Sequence, residues 1–221
     1  GRTAQFCPNA KIIHIDIDRS ELHKVKDAHV AVNADVSTAL EPLLPRVKVT
    51  LRTDWLAQVA ELKQRCPMLF PDVDNPRSHY GLIKAVADAL DDEAVIATDV
   101  GQHQMWVAQA YPFRRSRQWL TSGGLGTMGF GFPTAIGAAL AEPERTVVCF
   151  TGDGSFKMNI QELATLAEEG LNVKIVLMNN NALGLVYQQQ SLFYGKRRFA
   201  SKYRTEPDFV KIAEGFGVPA L

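Results

Sequence analysis

Thr146-Val147-Val148-Cys149-Phe150-Thr151-Gly152-Asp153-Gly154-Ser155 is the stretch from which the fold can be read. Its first half is an apolar run with the length and composition of a buried strand, and it stops at a glycine-flanked aspartate. A second such run, Val173-Lys174-Ile175-Val176-Leu177-Met178, ends at Asn179-Asn180. Between the two, Ile160, Leu163, Ala164, Leu166 and Ala167 recur at helical spacing, which predicts a strand-helix-strand unit. A right-handed crossover makes the two strands parallel and brings their C-terminal ends to one edge of a sheet. Asp153 and Asn180 then meet.

The residue types suit a divided metal and diphosphate site. A hard divalent cation such as Mg²⁺ takes oxygen ligands and shares them with a phosphate, and a carboxylate, an amide oxygen and a backbone carbonyl complete such a shell. Gly152 and Gly154 let backbone approach a bulky anion, and the following helix offers free N–H groups. Asp-Gly by itself is an ordinary turn. The second half of the signature, at a helix-compatible distance, favours the site over the turn.

Working outward, the segments alternate: a helix over 79–91, a strand over 94–99, a helix or turn over 102–111, a short strand over 118–121, and a small-residue helix over 133–141 beginning at Pro133. A further helix is predicted from Phe209 to Phe216. This alternation predicts an α/β fold with a doubly wound parallel sheet over 78–221, whose next strand would fall beyond Leu221. Before it, residues 1–46 read as the tail of a second α/β domain. Strands at 11–17 and 29–33 alternate there with helices over Ser20–Asp27 and Ser37–Leu44, capped by Ser20 and Ser37. Two strands cannot form an independent sheet with both faces covered, so the rest of that domain is expected upstream. Residues 47–77, with Pro67, Pro71 and Pro76, read as a helix around Trp55–Gln64 and a linker.

The 221 residues carry 24 basic and 24 acidic side chains, a net charge of zero that favours neither nucleic acid nor a membrane surface. Arg114-Arg115-Ser116-Arg117 and Lys196-Arg197-Arg198 read as solvated loop faces. No run approaches the roughly 18 apolar residues of a spanning helix, and no signal peptide is visible. Cys7, Cys66 and Cys149 match no metal spacing, which favours a reducing, cytoplasmic setting. The chain begins at Gly1 without methionine, so targeting information has room upstream.

Gly124-Leu125-Gly126-Thr127-Met128-Gly129 is formally G-x-G-x-x-G between a strand and a helix, and a nicotinamide or flavin Rossmann site competes here. Against it, the expected helix start at Pro133 lies four positions beyond Gly129, whereas a dinucleotide loop runs directly into its helix. Gln102 and His103 follow a strand end at the same sheet edge. His14, His23, His29 and His79 read as structural or solvated.

Gly152-Asp153-Gly154 followed by Asn179-Asn180 resembles the thiamin diphosphate signature, Gly-Asp-Gly then Asn-Asn. Longer stretches resemble the large, catalytic subunit of the acetolactate synthase (acetohydroxyacid synthase) family: Thr98-Asp99-Val100-Gly101-Gln102-His103-Gln104-Met105-Trp106, the run from Arg117 to Gly131, Met158-Asn159-Ile160-Gln161-Glu162-Leu163, and Gln188-Gln189-Gln190-Ser191-Leu192-Phe193-Tyr194. The resemblance implies that Val100, Gly101, Gln102 and His103 meet the diphosphate along with Gly152, Asp153, Gly154 and Ser155. It implies Asp153, Asn180 and the Ala182 carbonyl as Mg²⁺ ligands. Gly184, Leu185 and Val186 would follow the diphosphate and thiazolium. The Gly126 carbonyl and Met128 would hold the aminopyrimidine. Asp16, Ile17, Asp35 and Val36 resemble segments that touch flavin adenine dinucleotide, which takes no net part in this family's reaction.

The implied reaction decarboxylates pyruvate and joins its two-carbon remainder to a second 2-oxo acid, giving 2-acetolactate or 2-aceto-2-hydroxybutyrate in branched-chain amino-acid synthesis. Gln189 stands where many members carry a large aromatic residue that shapes the acceptor site, which opens the choice of acceptor. The activating glutamate comes, in the family, from an N-terminal domain of the partner subunit, so a homodimer is expected, with a small regulatory subunit as a further partner. These 221 residues by themselves are expected to show no synthase activity. A pyruvate oxidase, a decarboxylase or a glyoxylate carboligase would share the metal motif, a Rossmann oxidoreductase would bind a nicotinamide cofactor without Mg²⁺, and a non-catalytic scaffold would bind neither.

Overall fold

The computed structural model describes residues 2–221. They fall into two compact units, one ending at Met68 and one running from Leu69 to Leu221.

In the first unit β1 (Ile13–Asp16) and β2 (Val30–Asn33) pair in parallel, with Ile13 opposite Val30 and Asp16 opposite Asn33. Two helices follow, α1 (Val36–Leu43) and α2 (Thr53–Arg65). Both expected serine caps are displaced. The segment after β1 forms only a 3₁₀ turn, Arg19–Glu21, and Asp18 caps it by accepting from the Ser20 N–H at 2.8 Å. Asp35 caps α1 in the same way, accepting from the Ser37 N–H at 2.8 Å. In an Asp-x-Ser sequence the aspartate reaches the amide two residues on, so the serine falls inside the first turn. Among the described residues of this unit none is buried.

The second unit opens with α3 (His79–Asp88) and continues through β3 (Val95–Thr98), α4 (Gln102–Ala110), β4 (Trp119–Thr121) and α5 (Gly131–Ala141). Then come β5 (Val147–Gly152), the single turn α6 (Asp153–Phe156), α7 (Leu163–Glu168), β6 (Val173–Met178), α8 (Gly184–Phe193) and α9 (Phe209–Gly215). The four strands form one all-parallel sheet in the order β4-β3-β5-β6.

Strand alternation divides the core into two faces. Val95, Ala97, Val147 and Cys149 pack against Phe132 and Ile136 of α5 and against Leu163 and Leu166 of α7. Their neighbours Ile96, Val148 and Phe150 point the other way, against Ile83 of α3 and Val107 of α4. Cys149 is fully buried, and burial pushes its thiol pKa well up, so it serves the core as a small hydrophobe. Cys7 and Cys66 are exposed.

Two expected helices change shape. The stretch around Ile160–Ala167 is a 3₁₀ turn, Ile160–Glu162, followed by α7, and only Leu163 and Leu166 of its apolar set are buried. Helix α5 starts at Gly131, two residues before Pro133. Proline is tolerated there because the first four N–H groups of a helix have no intrahelical partner. The spacing argument against a dinucleotide loop therefore does not hold.

The chain passes from β3 outward to β4 and then returns across β3 to β5. Its winding reverses between these two adjacent strands. Loops leaving their C-terminal ends diverge, and in open parallel sheets that divergence makes the ligand crevice.

Candidate functional site

Three loops meet at this switch point. Val100–His103 leave β3, Gly152–Ser155 end β5 and open α6, and Asn180 with Ala182–Val186 follow β6; together with Met128, Trp106 and Met178 they line one cavity. All the residues expected to meet diphosphate, thiazolium or metal lie on its wall. Gly126 does not. It turns with φ +67° on the exposed loop before Met128, where its N–H donates to the Ser122 carbonyl.

Two buried side-chain atoms among the described residues lack a hydrogen-bond partner, His103 Nε2 and Asp153 Oδ2, and both residues line this cavity. Asp153 is 2 % exposed. Burial raises its carboxyl above the usual range, opposed by the nearby Lys157 charge and by backbone N–H groups including that of Gly154. A buried carboxylate with an unmatched oxygen is costly unless a cation or donor meets it. His103 is 5 % exposed, and burial pushes its pKa down to about 4, so the imidazole is neutral near pH 7 and offers one donor and one acceptor.

Two glycines stand where these groups approach most closely. A Cβ on Gly152 would stand 3.0 Å from His103 Nδ1, and one on Gly184 would stand 2.6 Å from Asn180 Nδ2. Gln102 is held from the other side, its Nε2 donating to Gln188 Oε1 at 2.8 Å. Ser155 Oγ donates to the Val100 carbonyl at 3.0 Å and ties the β3 loop to the β5 loop. The two asparagines part company. Asn180 faces the cavity, its Oδ1 accepting from the Ala182 N–H at 3.0 Å, whereas Asn179 turns away and donates to Glu206 Oε1 at 2.7 Å. Among the described residues no three His, Cys, Asp or Glu side chains gather as a metal site. A cation here would rest on one carboxylate plus amide and carbonyl oxygens, the donor set that suits a hard ion also bound by phosphate.

Residues 99–221 match the family described as "Thiamine pyrophosphate enzyme, C-terminal TPP binding domain". The chain belongs to this family of thiamine pyrophosphate enzymes. It is 62 % identical over 218 residues to the acetolactate synthase isozyme 1 large subunit of Escherichia coli, covering 99 % of this chain and 39 % of that relative. It is 44 % identical to the acetolactate synthase large subunit of Lactococcus lactis, over 97 % of this chain and 38 % of the relative. It is 43 % identical to the chloroplastic acetolactate synthase 1 of Nicotiana tabacum, over all of this chain and 35 % of the relative. The chain thus spans less than two fifths of the length of each of these relatives.

Thiamine pyrophosphate is thiamin diphosphate, and the crevice of this family member also depends on residues that sequence reasoning did not assign. Asp99 is fully buried directly after β3. Its Oδ1 accepts from the Gly129 N–H at 2.7 Å and its Oδ2 from Thr151 Oγ at 3.0 Å, which joins β3, β5 and the loop entering α5. Burial raises its carboxyl, against the pull of those donors. The quoted Thr98–Trp106 stretch contained it, but nothing in the order of residues set it apart from a surface turn. Tyr203 is a second omission, with its hydroxyl against Gly154. In the first unit, Asp16 is the last residue of β1, with Ile17 directly after it, and Asp35-Val36 lie just beyond the end of β2. Asn33 Nδ2 donates to the carbonyls of Asp16 and Ile17 at 3.0 and 2.9 Å, Ile17 is exposed, and Asp35 is engaged as a cap.

Proposed function

We propose that this chain is the diphosphate- and metal-binding part of an acetolactate synthase large subunit. The observation that carries the reading is the pair of unmatched buried atoms, His103 Nε2 and Asp153 Oδ2, on two residues that line one glycine-rich cavity at the sheet's switch point. Asp153, Asn180 and the Ala182 carbonyl are the residues that would hold Mg²⁺. Val100, Gly101, Gln102, His103, Gly152, Gly154 and Ser155 would receive the diphosphate, Gly184, Leu185 and Val186 would flank the thiazolium, and Met128 with the Gly126 carbonyl would seat the aminopyrimidine.

When bound, thiamin diphosphate supplies the electron sink that a 2-oxo acid needs to lose carbon dioxide. The chain's own part is anchoring and exclusion. Asp153 fixes the cation, the neutral His103 offers a hydrogen bond without adding charge, and apolar Met128, Leu183 and Leu185 keep water from the wall. The cavity encloses about 110 Å³. A complete small-ligand site is ~300–1,000 Å³, so these residues make one wall, and a glutamate-bearing domain of a partner subunit would make the other. Pyruvate and a second 2-oxo acid are the proposed substrates, and a homodimer with a small regulatory subunit is the proposed assembly. Residues 1–46 would belong to a central domain that binds flavin adenine dinucleotide, with Asp16, Ile17, Asp35 and Val36 at its edge, followed by a linker over 47–77 and the cofactor domain over 78–221.

Two measurements test this. Calorimetry on the full-length protein should show thiamin diphosphate binding that requires Mg²⁺, with Asp153→Ala weakening it on the order of 100-fold or more. Unchanged affinity in that variant would remove Asp153 from the site. Product analysis with pyruvate should give acetolactate from the full-length protein and none from the 221 residues alone. Acetaldehyde from pyruvate, acetyl phosphate from pyruvate when phosphate and oxygen are supplied, or tartronate semialdehyde when glyoxylate replaces pyruvate would assign a different member of the family.

A further inference from the structure

The geometry points to Tyr203 as a positioning residue that braces the two halves of the proposed metal site, the Asp153 turn and the Asn180–Ala182 loop, against each other. This rests on the metal reading given above. The two halves belong to different strand ends, and the segment around Tyr203 touches both. Along its backbone it adds a short antiparallel bridge to the second half: Ala182 pairs with Lys202, the Leu183 N–H donates to the Ser201 carbonyl at 2.9 Å, and the Tyr203 N–H donates to the Asn181 carbonyl at 3.1 Å. Its side chain reaches the first half. The Lys157 ammonium, four residues after Asp153, lies 3.2 Å from the centre of the Tyr203 ring, and the Tyr203 hydroxyl lies 2.7 Å from where a Cβ on Gly154 would stand.

The brace is itself anchored. Ser201 is 2 % exposed and donates to Gln190 Oε1 at 2.8 Å, and Gln190 Nε2 donates to the Phe199 carbonyl at 2.9 Å. Helix α8 thereby fixes the backbone from which the tyrosine projects. A cation over an aromatic face gains attraction that grows as water is excluded. Here that attraction draws the turn bearing one ligand towards the loop bearing the other two. A ligand set split between two loops loses affinity when their separation drifts, because the cation requires all its oxygens at fixed distances.

The role can be separated from simple electrostatics, since the two predict opposite signs. Lys157 carries positive charge close to a proposed cation site, so removing that charge should by itself tighten divalent-cation binding. If Lys157 instead acts through Tyr203, its removal loosens the site. The test is a titration of the full-length protein with Mg²⁺, and separately with Mn²⁺ followed by electron paramagnetic resonance, at saturating thiamin diphosphate. Tyr203→Ala should raise the dissociation constant about tenfold, Tyr203→Phe should stay within about twofold of native because the ring remains, and Lys157→Met should raise it about threefold. The double variant Tyr203→Ala with Lys157→Met should be no weaker than Tyr203→Ala alone, because both changes break one contact. Native-like affinity in Tyr203→Ala, or unchanged or tighter binding in Lys157→Met, would overturn the brace. Should Tyr203→Ala fail to fold, the Lys157→Met and Tyr203→Phe titrations decide by themselves. A native protein whose cofactor binding ignores divalent cations would instead overturn the metal reading on which the brace depends.

Discussion

At Asp153 burial and charge are opposed. Burial lifts its carboxyl pKa, Lys157 works against that, and one oxygen stays unmatched, so the group is suited to a cation and poorly suited to an empty core. His103, across Gly152 from it, gives a pH signature. Its folded pKa of about 4 lies below the ordinary 6.5, so above pH 6.5 both folded and unfolded chains hold it neutral. As pH falls from 6.5 towards 4 the unfolded chain takes up a proton that the folded one refuses, and stability is lost across that window. The loss amounts to on the order of 3 kcal/mol. Asp99 and Asp153, both raised, act in the opposite sense, since their contribution to stability grows on acidification towards their unfolded range. Measured from pH 7.5 to 4.5, the urea midpoint of the native protein should therefore drop relative to that of His103→Gln, which lacks the imidazole contribution and keeps both carboxylates. Parallel curves would show that His103 does not titrate in this way.

At the scale of elements, α5 closely approaches the end of β3, just before the crevice loop that begins at Val100. Gly131 begins α5 against β3, where an added Cβ would meet the Thr98 carbonyl carbon at 2.7 Å and the Asp99 Cα at 2.9 Å, both backbone atoms that cannot swing aside. Gly131→Ala should cost about 3 kcal/mol, read as a lower denaturation midpoint at unchanged slope. A loss below ~1 kcal/mol would mean that α5 can lift from the sheet at no great expense. This junction also marks where sequence was a limited guide. The strands were legible because Val147–Phe150 and Val173–Met178 are buried by a parallel sheet and so appear as continuous apolar runs. The caps were not, because Asp18 and Ser20, or Asp35 and Ser37, are equally good capping types and only the backbone path selects between them. Pro133 misplaced the start of α5 because proline fits any of the first helical positions that need no N–H donor. Asp153 and Asn180 could be paired from strand order, but Asp99 and Tyr203 act through contacts set by tertiary approach, which leave no periodic trace.

Across the molecule, order is distributed unevenly. Every buried residue among those described lies between Leu69 and Leu221, while residues 2–68 contain a two-stranded sheet and two helices with none. Local opening is least costly where apolar burial is sparse. Amide hydrogen exchange on the 221-residue chain should leave β3 and β5 protected longest and should exchange β1 and β2 at least a hundredfold faster, a ratio of roughly 3 kcal/mol in opening free energy. Equal protection in the two sheets would show that the first is stabilised by more than its own contacts.

The placing of the three cysteines turns this unevenness into a clock. Cys7 and Cys66 lie open in the first unit, whereas Cys149 is sealed in the central strand with its thiolate disfavoured. A thiol-directed dye added to the native chain should label two sites promptly and a third only as fast as β5 is uncovered. The delay between the second and third equivalents then times the opening of the cofactor sheet without any engineered probe, and a ligand that locks the crevice should lengthen it.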